Sequence, residues 1–157
     1  MNVALINPKT DIEQMRMLYD RHENLALGLL SAYLKEKTNF KIFLYDLRVD
    51  DLNIEELIEI LKNNNIDVVT ISVNYVTLPQ SIEIAQELKI NIENIKIIFG
   101  GEHVTYLDKE ILNQYGNYID FIVRGESEIT TLELLNNISN NAKDYQDIKS
   151  ISYIIGG

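Results

Sequence analysis

The chain has 157 residues, 46% apolar and 24% charged, with a net charge of −10 and no cysteine. That length suits one domain with a sizeable core. The acidic balance, without a basic block, excludes nucleic-acid binding through a phosphate footprint and makes anionic membranes poor partners. Without cysteine the chain can build no disulfide, thiolate zinc site, cysteine nucleophile or cysteine-ligated iron–sulfur cluster.

Met1 leads straight into a strand-like segment with no basic n-region, and no apolar run is long enough to cross a bilayer, so a soluble cytoplasmic protein is expected. The first strand, Val3 to Ile6, ends at Asn7-Pro8. Lys9 to Glu23 follows as a polar segment, long for a strand-to-helix connection, that holds either a helical turn or a working loop. Asn24 is placed to cap a helix whose apolar positions Ala26, Leu29, Leu30, Tyr33 and Leu34 recur at helical spacing, with Gly28 inside it. Phe40 to Tyr45 is the second strand, ending at Asp46. Asn53-Ile54-Glu55-Glu56 is a capping box that opens a helix with Ile54, Leu57, Ile58 and Leu61 on one face.

Asp67 to Val73, nearly continuous in apolar content, is the expected central strand. Thr77 with Gln80, and Pro79 in the first turn, predict a helix that turns Ile82, Ala85 and Leu88 inward. Ile95 to Phe99 is a fourth strand running into Gly100-Gly101-Glu102-His103. A helix around Asp108 to Gln114, a fifth strand from Asp120 to Val123, and a helix entered through Arg124-Gly125-Glu126-Ser127-Glu128 complete the pattern. Asn136 to Asp147 is expected to be a linker, and Ile151 to Ile155 a last edge strand.

Strands alternating with helices predict an α/β fold: a doubly wound, three-layer, Rossmann-like parallel sheet of flavodoxin-like order 2-1-3-4-5, with an extra C-terminal edge strand. Residues 1–138 form the domain and 139–157 a linker and terminal strand. In that topology ligands bind at the carboxyl ends of the strands. The loops after Ile6, Val73, Phe99 and Val123 then share one rim, with Asn7, Pro8, Ser72, Val73, Asn74, Tyr75, Gly100, Gly101, Gly125 and Glu126 around a crevice. Paired glycines at a strand's end either serve a tight turn needing positive φ or remove side chains where a ligand comes close.

Common chemistries find little support. The first junction has no GxGxxG and no GxxxxGK[ST], and no GxSxG elbow occurs. A phospho-acceptor site would need acids after the first strand, where the chain has Asn7. His22 and His103 are the only histidines, and no ligand pair has metal-binding helical spacing. Glu126 and Glu128 are either acid/base groups or acids favoured at a helix start by its dipole.

Four stretches together carry a resemblance: Val3 to Pro8, Leu27 to Leu34 with its internal glycine and Ala-Tyr-Leu end, Ile97 to Thr105 with Gly-Gly-x-His, and Asp120 to Leu135 with its D-x-x-V-x-G-E-x-E start. In this order they resemble the N-terminal cobalamin-binding domain of B12-dependent radical SAM enzymes. The resemblance implies cobalamin held with its nucleotide tail displaced from cobalt and buried beside the sheet. Gly28, Gly100, Gly101, Gly125 and Glu126 would lie along the cofactor, with Glu102 and His103 flanking it, and Ser72 and the loop after it would hydrogen-bond the tail. Relatives with a histidine cobalt ligand carry D-x-H-x-x-G; here Asp20-x-His22 is followed by Leu25 where the glycine belongs, and His22 is a candidate ligand. The family's S-x-L is Ser72-Val73-Asn74.

The resemblance further implies a radical SAM domain as partner, in the same or another chain, which would supply the S-adenosylmethionine and 4Fe-4S cluster that this cysteine-free chain cannot hold. Two other readings stay open: a small α/β enzyme using Glu126 and His103 as acid and base, and a domain with a closed crevice kept for protein–protein contact.

Overall fold

The computed structural model describes residues 1–10 and 24–154. Most of the polar first loop, with His22 in it, lies outside the described residues. The chain forms β1 (Asn2–Asn7), α1 (Leu25–Lys37), β2 (Lys41–Asp46), α2 (Ile54–Asn63), β3 (Val68–Ser72), α3 (Leu78–Asn91), β4 (Lys96–Gly100), α4 (Glu102–Tyr106), α5 (Asp108–Tyr115), β5 (Phe121–Val123), α6 (Glu128–Ser139) and β6 (Ile151–Ser152). The sheet order is β2-β1-β3-β4-β5-β6, parallel throughout except for the antiparallel edge strand β6. The doubly wound sheet and its terminal edge strand are as the pattern predicts.

Alternation along the strands sends side chains into two cores. On one face Ile6, Val69, Ile71, Ile97 and Phe99 pack against Leu57 and Leu61 of α2, Ile84 and Leu88 of α3, and Ile111 and Leu112 of α5. On the other, Val3, Leu5, Ile98, Phe121 and Val123 meet Leu27, Leu30 and Leu34 of α1 and Leu134 and Leu135 of α6. The α1/α6 layer is the one that matters for the site.

Local signals explain most boundaries. Asn53 Oδ1 accepts the Glu56 N–H at 2.8 Å and Glu56 Oε2 accepts the Asn53 N–H at 3.0 Å, closing the predicted capping box. Asn24 Oδ1 accepts the Leu27 N–H at 3.1 Å and starts α1 as predicted.

Four expectations need correction. The buried face of α1 is Leu27, Leu30, Ser31 and Leu34, not the face through Ala26 and Leu29; Leu29 is 62% exposed. Leucines at 25, 27, 29 and 30 surround the helix and leave its period ambiguous. Thr77 and Gln80 make no capping box: Asn74 Oδ1 takes the N–H groups of Val76 and Thr77, both at 3.0 Å, while Thr77 Oγ1 accepts from Asn74 N. The inward face of α3 is accordingly Ser81, Ile84, Ala85 and Leu88, with Ile82 only half-buried. The run Asn136 to Asp147, expected to be a linker, is helical as far as Ser139. Beyond it Tyr145 and Tyr153 pack around Phe121, with ring centroids 4.8 and 5.7 Å from it.

Of the two glycines after β4, Gly101 has φ +116°. A Cβ there would lie 2.5 Å from Val73 O, because the β3–α3 loop crosses directly over it and Val73 N donates to Gly100 O at 2.7 Å. Gly101→Ala is therefore expected to lower stability by about 2–3 kcal/mol, read by urea unfolding, from backbone strain plus displacement of that loop.

Two aspartates, Asp46 half-buried and Asp108 buried, tie elements of the fold together. Burial alone would raise the Asp46 carboxyl, but hydrogen bonds from Arg48 and Asn7 outweigh it and hold it below the ordinary aspartate range. Burial likewise acts on Asp108 and is outweighed by the Ser152 hydroxyl of β6, the Lys109 N–H and the Arg124 charge, whose Nε lies 3.7 Å away. Both native values are depressed, so the stability they contribute is present above the unfolded value near 3.8 and is lost as pH falls through the native values. The urea midpoint is expected to fall below about pH 4, and less steeply in Ser152→Ala, whose Asp108 loses one of the bonds depressing it.

Candidate functional site

A crevice of about 340 Å³ opens at the carboxyl ends of β3, β4 and β5, between α1 and α6. Thr70 and Ser72 of β3, Gly100 of β4 and Val123 of β5 lie along the sheet side, Leu27 and Leu30 of α1 form one wall, and Thr131 of α6 lies on the other. Small side chains make this space. At the same height on the opposite face of the sheet, Ile71 and Phe99 fill the core completely.

The two glycines part company here. Gly101 is demanded by its own backbone, whereas Gly100 is fully compatible with a side chain: the nearest atom to an added Cβ is Val123 O at 4.0 Å. Gly100 keeps the crevice open. Gly125, with φ +70°, has nothing among the described residues within 4 Å of where its Cβ would stand. Thr105 of α4 joins the two glycine turns, its hydroxyl donating to Gly101 O and accepting from Gly125 N, each at 3.0 Å.

Asn24 sets the chemistry of the open end. Its Oδ1 caps α1, which turns its Nδ2 toward Asn7 Oδ1 at 3.0 Å and Ser72 Oγ at 3.1 Å. Ser72 Oγ thus accepts from Asn24, and its own proton is left to donate elsewhere. Asn7, 6% exposed, has both ends of its amide engaged, since its Nδ2 donates to Asp46 Oδ2 at 3.0 Å. Deeper in the crevice are two hydroxyls without partners among the described residues, Thr70 Oγ1 and Thr131 Oγ1, on residues 4% and 1% exposed. Buried hydroxyls without hydrogen bonds are uncommon and costly.

The predicted residues divide accordingly. Ser72, Gly100, Gly101, Glu102, Gly125 and Glu126 line the crevice. Asn7 stands behind it through Asn24, and Pro8 is buried just after β1. Val73 is buried in the opposite core, and Asn74 is spent on capping the loop. Tyr75, 76% exposed, and His103 meet edge to face at 5.6 Å, beside the crevice and outside its lining. Gly28 is exposed on α1, with no atom within 4 Å of an added Cβ, and does not line it either. Sequence reasoning missed Thr70, Thr131 and Leu30 as lining residues; the first two have a legible signal, a hydroxyl at a position that the strand or helix period sends into the core.

Comparison with known proteins identifies the family of the fold. Over 153 residues the chain is 28% identical to an uncharacterized methyltransferase of Pyrococcus horikoshii, covering 98% of this chain and 32% of that protein. It is 27% identical over 123 residues to the hopanoid C-3 methylase of Methylococcus capsulatus, covering 76% of this chain and 23% of the methylase. The chain therefore spans about a third or less of these relatives. The fold matches that of OxsB, a cobalamin-dependent S-adenosylmethionine radical enzyme solved with aqua-cobalamin and S-adenosylmethionine bound, at a TM-score of 0.82 and 23% identity over 98% of this chain and 21% of OxsB. A family model, the B12 binding domain, matches residues 16–135, and the chain belongs to that family.

Proposed function

We propose that the crevice between α1 and α6 takes the nucleotide tail of cobalamin, with the corrin on the rim above, and that the chain presents the cofactor to a radical SAM domain. The carrying observation is Gly100, a buried glycine whose missing side chain is required by no neighbour and opens onto the crevice.

The rest of the lining fits a tail with a flat base, a ribose and a phosphodiester. Leu27, Leu30 and Val123 supply apolar surface for the base. Ser72, held as an acceptor by Asn24, donates its own proton to a ring nitrogen. Ser127 gives α6 no side-chain cap, which leaves the first N–H groups of that helix open to an anionic group such as the phosphodiester. Thr70 and Thr131 offer two unpaired hydroxyls at depth.

Bound cobalamin supplies a cobalt centre that carries alkyl groups. This chain's residues bind and orient it, and the side chains that act on a substrate belong to the partner domain. The cluster and S-adenosylmethionine belong there too, since the chain has no cysteine. His22 remains the candidate cobalt ligand, and a cytoplasmic location follows from this function. A stand-alone enzyme using Glu126 and His103 is less well supported: Glu126 lines the crevice, while His103 is turned against Tyr75 outside it. A closed contact domain does not fit a crevice of this size.

Incubation of the chain with hydroxocobalamin is expected to give a retained corrin with a base-off visible spectrum, and Gly100→Val to weaken retention by about tenfold or more while the urea midpoint stays close to the parent's. No retained corrin at high micromolar protein would overturn the reading. Ser72→Ala is expected to raise the cobalamin Kd by about 3–10-fold, the worth of one hydrogen bond, as read by spectral titration.

A further inference from the structure

We infer that the tail crevice selects among cobamides by their lower base, favouring a purine such as adenine over dimethylbenzimidazole. The inference rests on the reading of this crevice as the tail site and adds to it the chemical class of tail that suits this chain.

Thr70 and Thr131 approach the crevice from different elements, one from the middle of β3 and one from the second turn of α6. Both are almost wholly buried, and neither hydroxyl has a hydrogen-bond partner among the described residues. Two other buried hydroxyls have partners within the fold: Ser81 Oγ donates to Thr77 O one turn back at 2.7 Å, and Thr10 Oγ1 donates across the fold to Val76 O at 3.3 Å. Among the described residues both unpartnered buried hydroxyls lie on the lining of one crevice, while the other two buried side-chain atoms without a hydrogen bond, Gln80 Oε1 and Arg124 Nε, lie outside it.

Thr70 lies one pleat below Ser72 on the same side of β3, so a base whose ring nitrogen meets Ser72 extends its far edge toward Thr70. The two base classes differ at that edge. Dimethylbenzimidazole carries two methyl groups there and would leave both hydroxyls unpaired and cut off from water. Adenine carries an amino donor and ring-nitrogen acceptors, and a threonine hydroxyl serves as donor or acceptor to either. A site built with buried polar groups rejects the analogue that leaves them unpaired far more strongly than an apolar site rejects a polar one. A purely apolar tail would be better served by valine at both positions, which fills the same shape without the hydroxyl.

The test is a spectral titration of the 157-residue chain with cobalamin, its adeninyl counterpart and cobinamide, which has no base. The adeninyl cobamide is expected to bind at least about tenfold more tightly than cobalamin, about 1.4 kcal/mol. Thr70→Val and Thr131→Val should each shrink that ratio severalfold by weakening the adeninyl form, while raising the thermal midpoint of the unliganded chain, since each removes an unpaired buried hydroxyl. Cobalamin binding as tightly as the adeninyl form, or a ratio unchanged in both variants, would overturn the inference and leave the tail site standing. Cobinamide matching both complete cobamides would overturn the tail site and the inference with it.

Discussion

The bonds of Asn24 hold the binding end of this fold together. One amide caps α1 through its oxygen and, through its nitrogen, reaches the ends of β1 at Asn7 and β3 at Ser72. Asn7 continues the chain to Asp46 at the end of β2, and Arg48 closes it. The point between β1 and β3, where a doubly wound sheet reverses direction, is therefore occupied by a satisfied polar network among the described residues. The open volume is displaced toward β3, β4 and β5. Because the cap uses the Asn24 oxygen, the Asn24 nitrogen is the group that meets Ser72, and the Ser72 proton is not spent on Asn24. A helix-initiation signal and the orientation of a crevice-lining hydroxyl thus share one side chain.

The two faces of the sheet show what is given up for the crevice. Against α2, α3 and α5 the strands present Ile6, Ile71 and Phe99 at their carboxyl ends, all fully buried. Against α1 and α6 the corresponding positions are Ser72, Gly100 and Thr70. Burying a large aliphatic side chain contributes about 1.5–3 kcal/mol, so forgoing it at adjacent strand ends is a substantial loss of core. The opposite face, and the aromatic packing of Phe121, Tyr145 and Tyr153 beyond α6, are where the domain recovers cohesion. Stability and binding are divided between the two sides of one sheet.

Most of the fold was legible because its signals were local and agreed with one another. Apolar runs such as Val68-Val69 and Ile97-Ile98 read as central strands, and the cap at Asn24 and the capping box at Asn53 mark their helices without tertiary help. What failed depended on competition that sequence spacing does not resolve. Thr77 has the residue type and spacing for a cap, but Asn74 reaches the same N–H groups first. Leucines on every side of α1 hide which face is inward, and only packing against Leu5 and Val123 decides it. The short helix α4 was hidden by the glycines before it. At the site, motif and neighbourhood identified the rim, whereas Thr70 and Thr131 carry no motif. Their meaning lies in what their hydroxyls lack, which only three-dimensional structure displays.

The glycine pair shows how far a motif can mislead about its own parts. As a sequence feature Gly100-Gly101 invites one explanation for both residues, either a turn or a ligand. The structure divides them. Gly101 has the positive φ and the 2.5 Å approach of Val73 O, so its identity follows from chain geometry whether or not anything binds. Gly100 has ordinary strand geometry and room for a Cβ, so no neighbour among the described residues requires it. A buried position where folding permits a side chain and the sequence withholds one carries more functional information than a position where glycine is compulsory. The same distinction separates Thr70 and Thr131 from Ser81: each is a buried hydroxyl, but only Ser81 has its bond within the fold. On the proposed reading, the residues that meet the cofactor are those whose choice the fold itself leaves unexplained.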